Sequence, residues 1–72
     1  MLEIVTLNID NIENNLTFDS TFQDELQKLD EYKNDLIILR YSADGVYRVR
    51  INEQLERISN IRKWITEELI NR

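Results

Sequence analysis

The chain has 72 residues, with no cysteine, histidine or proline, one glycine and a formal net charge of −5. These absences exclude disulfide staples, Cys/His zinc sites, a thiol nucleophile, a Ser-His-Asp triad and a Gly-rich phosphate loop. At 42% hydrophobic and 32% charged, the composition is that of one small globular domain, 1–72, and not of a disordered chain.

From the N-terminus, Leu2 to Ile9 alternates loosely and includes Ile4, Val5 and Thr6, which favour extended structure. Leu2, Val5, Ile9, Ile12 and Leu16 also fall at helical spacing, but the asparagines at 8, 11, 14 and 15 favour caps and turns. The expectation is a strand over about 2–8, then an irregular segment with a short strand near Leu16–Phe18.

Ser20-Thr21-Phe22-Gln23 matches a capping box, and Asp24 and Glu25 suit the positive start of a helix. Phe22, Leu26, Leu29, Tyr32 and Leu36 make one apolar stripe, which predicts a helix over about 20–34. Asp24, Glu31 and Asp35 lie on its outer face, with Lys28 among them.

Leu36–Tyr41 and Val46–Ile51 are rich in β-branched and aromatic residues and flank Ser42-Ala43-Asp44-Gly45. This predicts a β-hairpin over about 36–51, with strands at 36–41 and 46–51 and Gly45 supplying a positive φ in the loop. Alternation puts Tyr47, Val49 and Ile51 toward the core and Arg48 and Arg50 on the wet face, with Arg40 across the hairpin.

Asn52 is the expected N-cap of a last helix over about 53–70, with Glu53 and Glu56 in its first turn. Leu55, Ile58, Ile61, Ile65 and Leu69 form its stripe. Trp64 lies off the stripe centre on a flank shared with Arg57 and Glu68. Arg62 falls inside the stripe, where it either snorkels outward or pairs with an acid from the 20–34 helix or from another subunit.

The fold class expected from these elements is α+β: a small sheet carrying the hairpin, covered by the two amphipathic helices. The competing reading is all-α. Phe22 to Leu39 keeps helical spacing, and so does Tyr47-Ile51-Leu55-Ile58-Ile61-Ile65-Leu69, which suits a helical hairpin turning at 42–45 and pairing into a bundle.

Charge is unevenly spread: residues 1–36 carry −7 and residues 37–72 carry +2. Such asymmetry suits contact within the fold or between subunits. A chain this short has a thin core, so association stabilises it.

The chemistry left is that of carboxylates. Glu53 and Glu56, joined by Glu31 and Asp35, have the spacing of a magnesium site, but the reading taken is a solvated acidic helix start. No catalytic residue, cofactor or metal is expected. The favoured function is a non-enzymatic protein-interaction module, a small acidic accessory or inhibitory protein docking on a larger, perhaps nucleic-acid-binding, partner. Its interface residues are Trp64, Arg57 and Glu68, and its acidic face is Asp24, Glu31 and Asp35, which would imitate nucleic acid. One alternative is a nucleic-acid regulator in which Arg40, Arg48 and Arg50 contact anions beside Tyr41 and Tyr47, against which the sequence pI of 4.6 weighs. The other is a structural homo-oligomer. No apolar run suits a membrane span and no basic leader is seen, so a cytoplasmic location is expected. The abundant Ile and Asn, with their AT-rich codons, point to a phage or plasmid origin.

Overall fold

The computed structural model describes residues 1–16 and 22–71. They form three helices, α1 (Leu2–Asn15), α2 (Gln23–Ser42) and α3 (Gly45–Ile70). There is no strand among the described residues, so the α+β expectation is overturned in favour of the all-α one. The segment expected as strand 2–8 is the first half of α1. The segments expected as strands 36–41 and 46–51 are the end of α2 and the start of α3.

The reason lies in how far the apolar spacing runs. Leu29 and Leu36 are fully buried on α2, and Ile51, Ile58, Ile61 and Ile65 are buried on α3. Each set keeps a helical stripe straight through the proposed strand boundary. A helix satisfies its backbone groups within itself, whereas an isolated two-stranded hairpin is marginal in water. The helix penalty of Ile, Val or Tyr is at most about 0.7 kcal/mol per residue. Burying one Ile or Leu side chain returns about 1.5–3 kcal/mol, so burial decides.

Asn52, expected to cap a helix, therefore sits inside α3, where its Oδ1 accepts a hydrogen bond from Arg40 Nη1 at 3.4 Å. Ser20 and Thr21 of the expected capping box, and Phe18 of the expected short strand, lie outside the described residues. α2 begins at Gln23, after Phe22 in a left-handed conformation with φ 64°. A bulky residue there costs on the order of 1–2 kcal/mol. Phe22 is fully buried, and its ring meets Trp64 edge-on at 5.8 Å and 83°, which offsets that cost.

Two cross-links set the register of α2 against α3. Arg40 reaches Asn52, and ten residues back Asp30 pairs with Arg62. The two helices are thus antiparallel, and Arg62 finds its acid on the helix that follows Phe22. α1 runs parallel to α3: Leu2 at its start shares clefts with Arg50 and Ile51, and Leu16 at its end shares one with Ile61 and Trp64, while Arg57 between them pairs with Asp10 and Glu13. Val5, Ile9 and Ile12 of α1 close the core over the α2–α3 hairpin.

Gly45 keeps the role its sequence position suggested in a different setting. Its φ is +57°, and it turns the chain from extended Ala43 and Asp44 into α3. A Cβ built there meets nothing within 4 Å. Gly45→Ala is therefore expected to lower stability by about 1 kcal/mol through backbone conformation alone, read as a lower urea midpoint with an unchanged m-value.

Gln54 carries the converse fault. Its Oε1 is buried without a hydrogen-bond partner among the described residues. Gln54→Met keeps length and helix propensity and removes the stranded acceptor, so a stability gain of about 1 kcal/mol is expected in the same titration.

Candidate functional site

Residues 44–50, the loop aspartate and the first two turns of α3, are exposed on every side. Full burial begins at Ile51 and, across the hairpin, at Leu36, with Leu39 and Ala43 half-buried against the core nearer the turn. Beyond that level the chain does not turn polar. At about 100° per residue, Val46 and Val49 lie roughly 140–160° around α3 from Ile51, and Ile38 and Tyr41 lie equally far around α2 from Leu36. Their exposures are 68%, 57%, 67% and 86%. Tyr47 is also exposed, and so are Met1, Ile4 and Leu7 of α1, whose start lies at the same end.

Most of the large exposed apolar side chains thus gather at one end of the bundle, which isolated surface residues do not. Val46 and Val49 face away from the core on α3 and Ile38 and Tyr41 face away from it on α2, so the apolar surface wraps around the turn end and is not one flat face.

Three arginines surround this end. Residues 37–52 hold Arg40, Arg48 and Arg50 against Asp44 alone, a local +2 in a chain of −5. Arg40 and Arg48 line one cleft of about 270 Å³ with Ile37, Tyr41 and Asn52, on the outer side of the α2–α3 pair. Arg50 is not with them. It lines a separate cleft of about 560 Å³ between α1 and α3, beside Leu2, Leu7, Asp10 and Glu53. The expected sheet face holding Arg48 and Arg50 together does not exist, since residues two apart on a helix point about 160° away from one another.

The far end holds the other candidates. Trp64 is 36% exposed and lines a cleft of about 430 Å³ with Glu13, Leu16, Arg57, Asn60 and Ile61. Glu68 is half-buried and is not part of that lining. Arg57 is engaged within the fold: Glu13 at 3.3 Å, then Asp10, hold its guanidinium above the ordinary arginine value, against a lowering by burial. A raised cation stabilises the fold fully below its unfolded value and loses this only as pH climbs through the folded one. For arginine both lie far above neutral pH, so the Arg57 charge stays constant across the working range.

Asp24 and Glu31 are exposed and Asp35 is half-buried along one side of α2, with Lys28 interrupting the acids. Neighbouring Asp30 is taken by Arg62. Glu53 and Glu56 sit one turn apart on α3, and among the described residues no group of three or more carboxylates comes together as a metal site. No helix among the described residues is long and apolar enough to cross a membrane.

Compared with protein-family models, with curated proteins and with solved structures, the chain matches none.

The apolar turn end was hidden from sequence reasoning because a strand reading places Val49 in the core beside Tyr47 and Ile51. The signal is present once the segment is read as helix. Val46, Val49, Ile38 and Tyr41 are then surplus to the buried stripes and fall opposite them.

Proposed function

We propose that this chain is a non-enzymatic protein-interaction module whose docking surface is the turn end of the α2–α3 hairpin. One observation carries this reading: Ile38, Tyr41, Val46, Tyr47 and Val49 are all uncovered at one end of the bundle. The arginine rim supports it, because arginine and tyrosine supply much of the binding energy where interfaces are dissected. The earlier emphasis on Trp64, Arg57 and Glu68 moves to second place, since Arg57 is already held by Asp10 and Glu13.

The test compares the wild-type chain with Val46→Glu/Val49→Glu, both immobilised, as baits for proteins of the host. A protein captured by the first and lost on the second is then purified and titrated calorimetrically. Negative ΔCp on binding, the mark of apolar burial, is the expected result. Identical capture by both baits, together with unaltered self-association, would remove the turn end from the function.

A second reading has one observation in its favour. Arg40, Arg48 and Tyr41 line a single cleft, a combination suited to a phosphate and a stacked base. Fluorescence anisotropy with single-stranded DNA and RNA at low and moderate salt decides it. Salt-sensitive binding lost on Arg48→Ala would establish it, and flat titrations would dismiss it.

A further inference from the structure

We infer that the cleft between the end of α2 and the start of α3 is a site for one phosphate monoester, presented on a side chain of the protein that docks at the turn end. This rests on the reading of that end as a docking surface and names the group by which the partner is chosen.

The cleft is built from one side of each helix. Ile37, Arg40 and Tyr41 come from α2. Arg48 and Asn52 come from α3, four residues apart and so on one face of it. Arg40 is half-buried, and its Nη1 donates to Asn52 Oδ1 at 3.4 Å. One of five donors is thereby engaged, which orients the guanidinium without neutralising it. Arg48 is exposed and stands one turn nearer the loop than Asn52.

The pair is set apart by the acids it lacks. The chain has fourteen acidic residues against nine basic ones, and Arg57 and Arg62 are each paired with carboxylates. Arg40 and Arg48 have no ion pair among the described residues, and no carboxylate lines their cleft. Two cations lining one cleft without a counterion repel one another, and a dianion between them removes that repulsion.

Charge and size select the ligand class. A phosphate monoester carries about −1.5 to −2 at neutral pH, on acceptor oxygens that suit arginine forks. A carboxylate brings one charge, which a single arginine satisfies. A nucleic-acid strand needs a groove of cations along its backbone, whereas Arg50 lies in a separate cleft between α1 and α3. The net charge of −5 also repels a polyanion. The cleft volume of about 270 Å³ is below the roughly 300–1,000 Å³ of pockets that enclose a whole small ligand. It takes a head group, and the rest of the ligand lies outside. Tyr41 belongs both to the cleft and to the uncovered apolar end, so a protein segment seated on that end brings its phosphorylated side chain to the arginines.

Nuclear magnetic resonance titrations of the full chain test this. The probes are phenyl phosphate, inorganic phosphate, benzoate, and apolar peptides centred on phosphotyrosine or phosphoserine, each with its unphosphorylated twin. Phenyl phosphate should shift the side-chain signals of Arg40, Arg48 and Asn52. At least one phosphopeptide should bind about tenfold or more tightly than both its twin and inorganic phosphate. Arg48→Ala should weaken that binding about tenfold or more, as loss of a charge-assisted hydrogen bond does. Circular dichroism should stay unchanged, because Arg48 is exposed. Lys63→Ala, which removes the same charge from the far part of α3, should leave the affinity within about twofold.

No shift at Arg40 and Arg48 with any phosphate probe overturns the inference. The docking surface is judged separately by the bait comparison, whose Val46→Glu/Val49→Glu change leaves both arginines in place. Benzoate binding as well as phenyl phosphate, or each phosphopeptide binding no better than its twin, overturns the inference too. So does inorganic phosphate that binds as tightly as either phosphopeptide, which makes the cleft a site for the free ion. A single-stranded oligonucleotide that displaces the phosphopeptides, and is itself lost on Arg48→Ala, overturns it in favour of strand binding.

Discussion

Leu29→Ala is expected to leave this chain predominantly unfolded at room temperature. Leu29 is fully buried near the middle of α2, in the cluster that joins all three helices. Leu→Ala at such a site costs about 2.7–5 kcal/mol, the spread reflecting how far the walls collapse into the space. A chain of this size without disulfides or metals seldom holds more than about 3–5 kcal/mol in total. The change therefore removes most of the stability there is. Far-UV circular dichroism reads the loss of helix, and the fluorescence of Trp64, the one tryptophan in the chain, reads its separation from Phe22. The control lies on the same helix: Ile38→Ala removes a similar side chain that is 67% exposed and should change stability by less than about 0.5 kcal/mol. Equal effects at the two positions would show that α2 does not present Leu29 inward and Ile38 outward.

Val46→Glu/Val49→Glu has the second large expected effect, and it falls on association and not on folding. Two carboxylates placed on a face opposite Ile51 lose no packing in the isolated bundle. Glutamate is a better helix former than valine, so the monomer should be as stable as the wild type or a few tenths of a kcal/mol more so. In an interface the same residues would be buried next to apolar groups, where an unpaired charge costs several kcal/mol. A chain folded to the same urea midpoint, yet unable to bind what the wild type binds, separates docking from stability. Should the midpoint fall steeply instead, the start of α3 is packed in solution, and its exposure is not what marks the docking surface.

These expectations depend on which side each helix turns inward, and that was only partly legible. The two long stripes, Phe22 to Leu36 and Leu55 to Leu69, could be read directly, because periodicity of 3.6 in apolar residues is a local property of the chain. Gly45 at the reversal was equally plain. Between them, residues 36–51 satisfied both helical spacing and strand propensity. Val46, Tyr47, Val49 and Ile51 are β-formers by composition, yet Ile51 falls one helical turn before Leu55. Propensity differences of a few tenths of a kcal/mol per residue cannot decide such a segment. Continuous burial of Ile51, Ile58 and Ile65 against Leu29 and Leu36 can.

The pairing of charges was less legible still. The place of Arg62 inside an apolar stripe left two outcomes, snorkelling outward or pairing with an acid, and the choice of Asp30 follows from the register of α2 on α3. Arg57 was expected at an interface because it shares a flank with Trp64, and the strand expected over 2–8 stops short of Asp10 and Glu13. As a helix, α1 brings Asp10 and Glu13 to it three residues apart.

What the chain determined alone was the absence of thiol and imidazole chemistry, two amphipathic stripes, one reversal at Gly45 and a basic island in an acidic whole. What the packing of three helices decided was which apolar residues are left over. Burial is a contest among side chains for a core of limited volume. Only when Leu36, Leu39 and Ile51 have taken the places at the turn end do Ile38, Tyr41, Val46 and Val49 become surface.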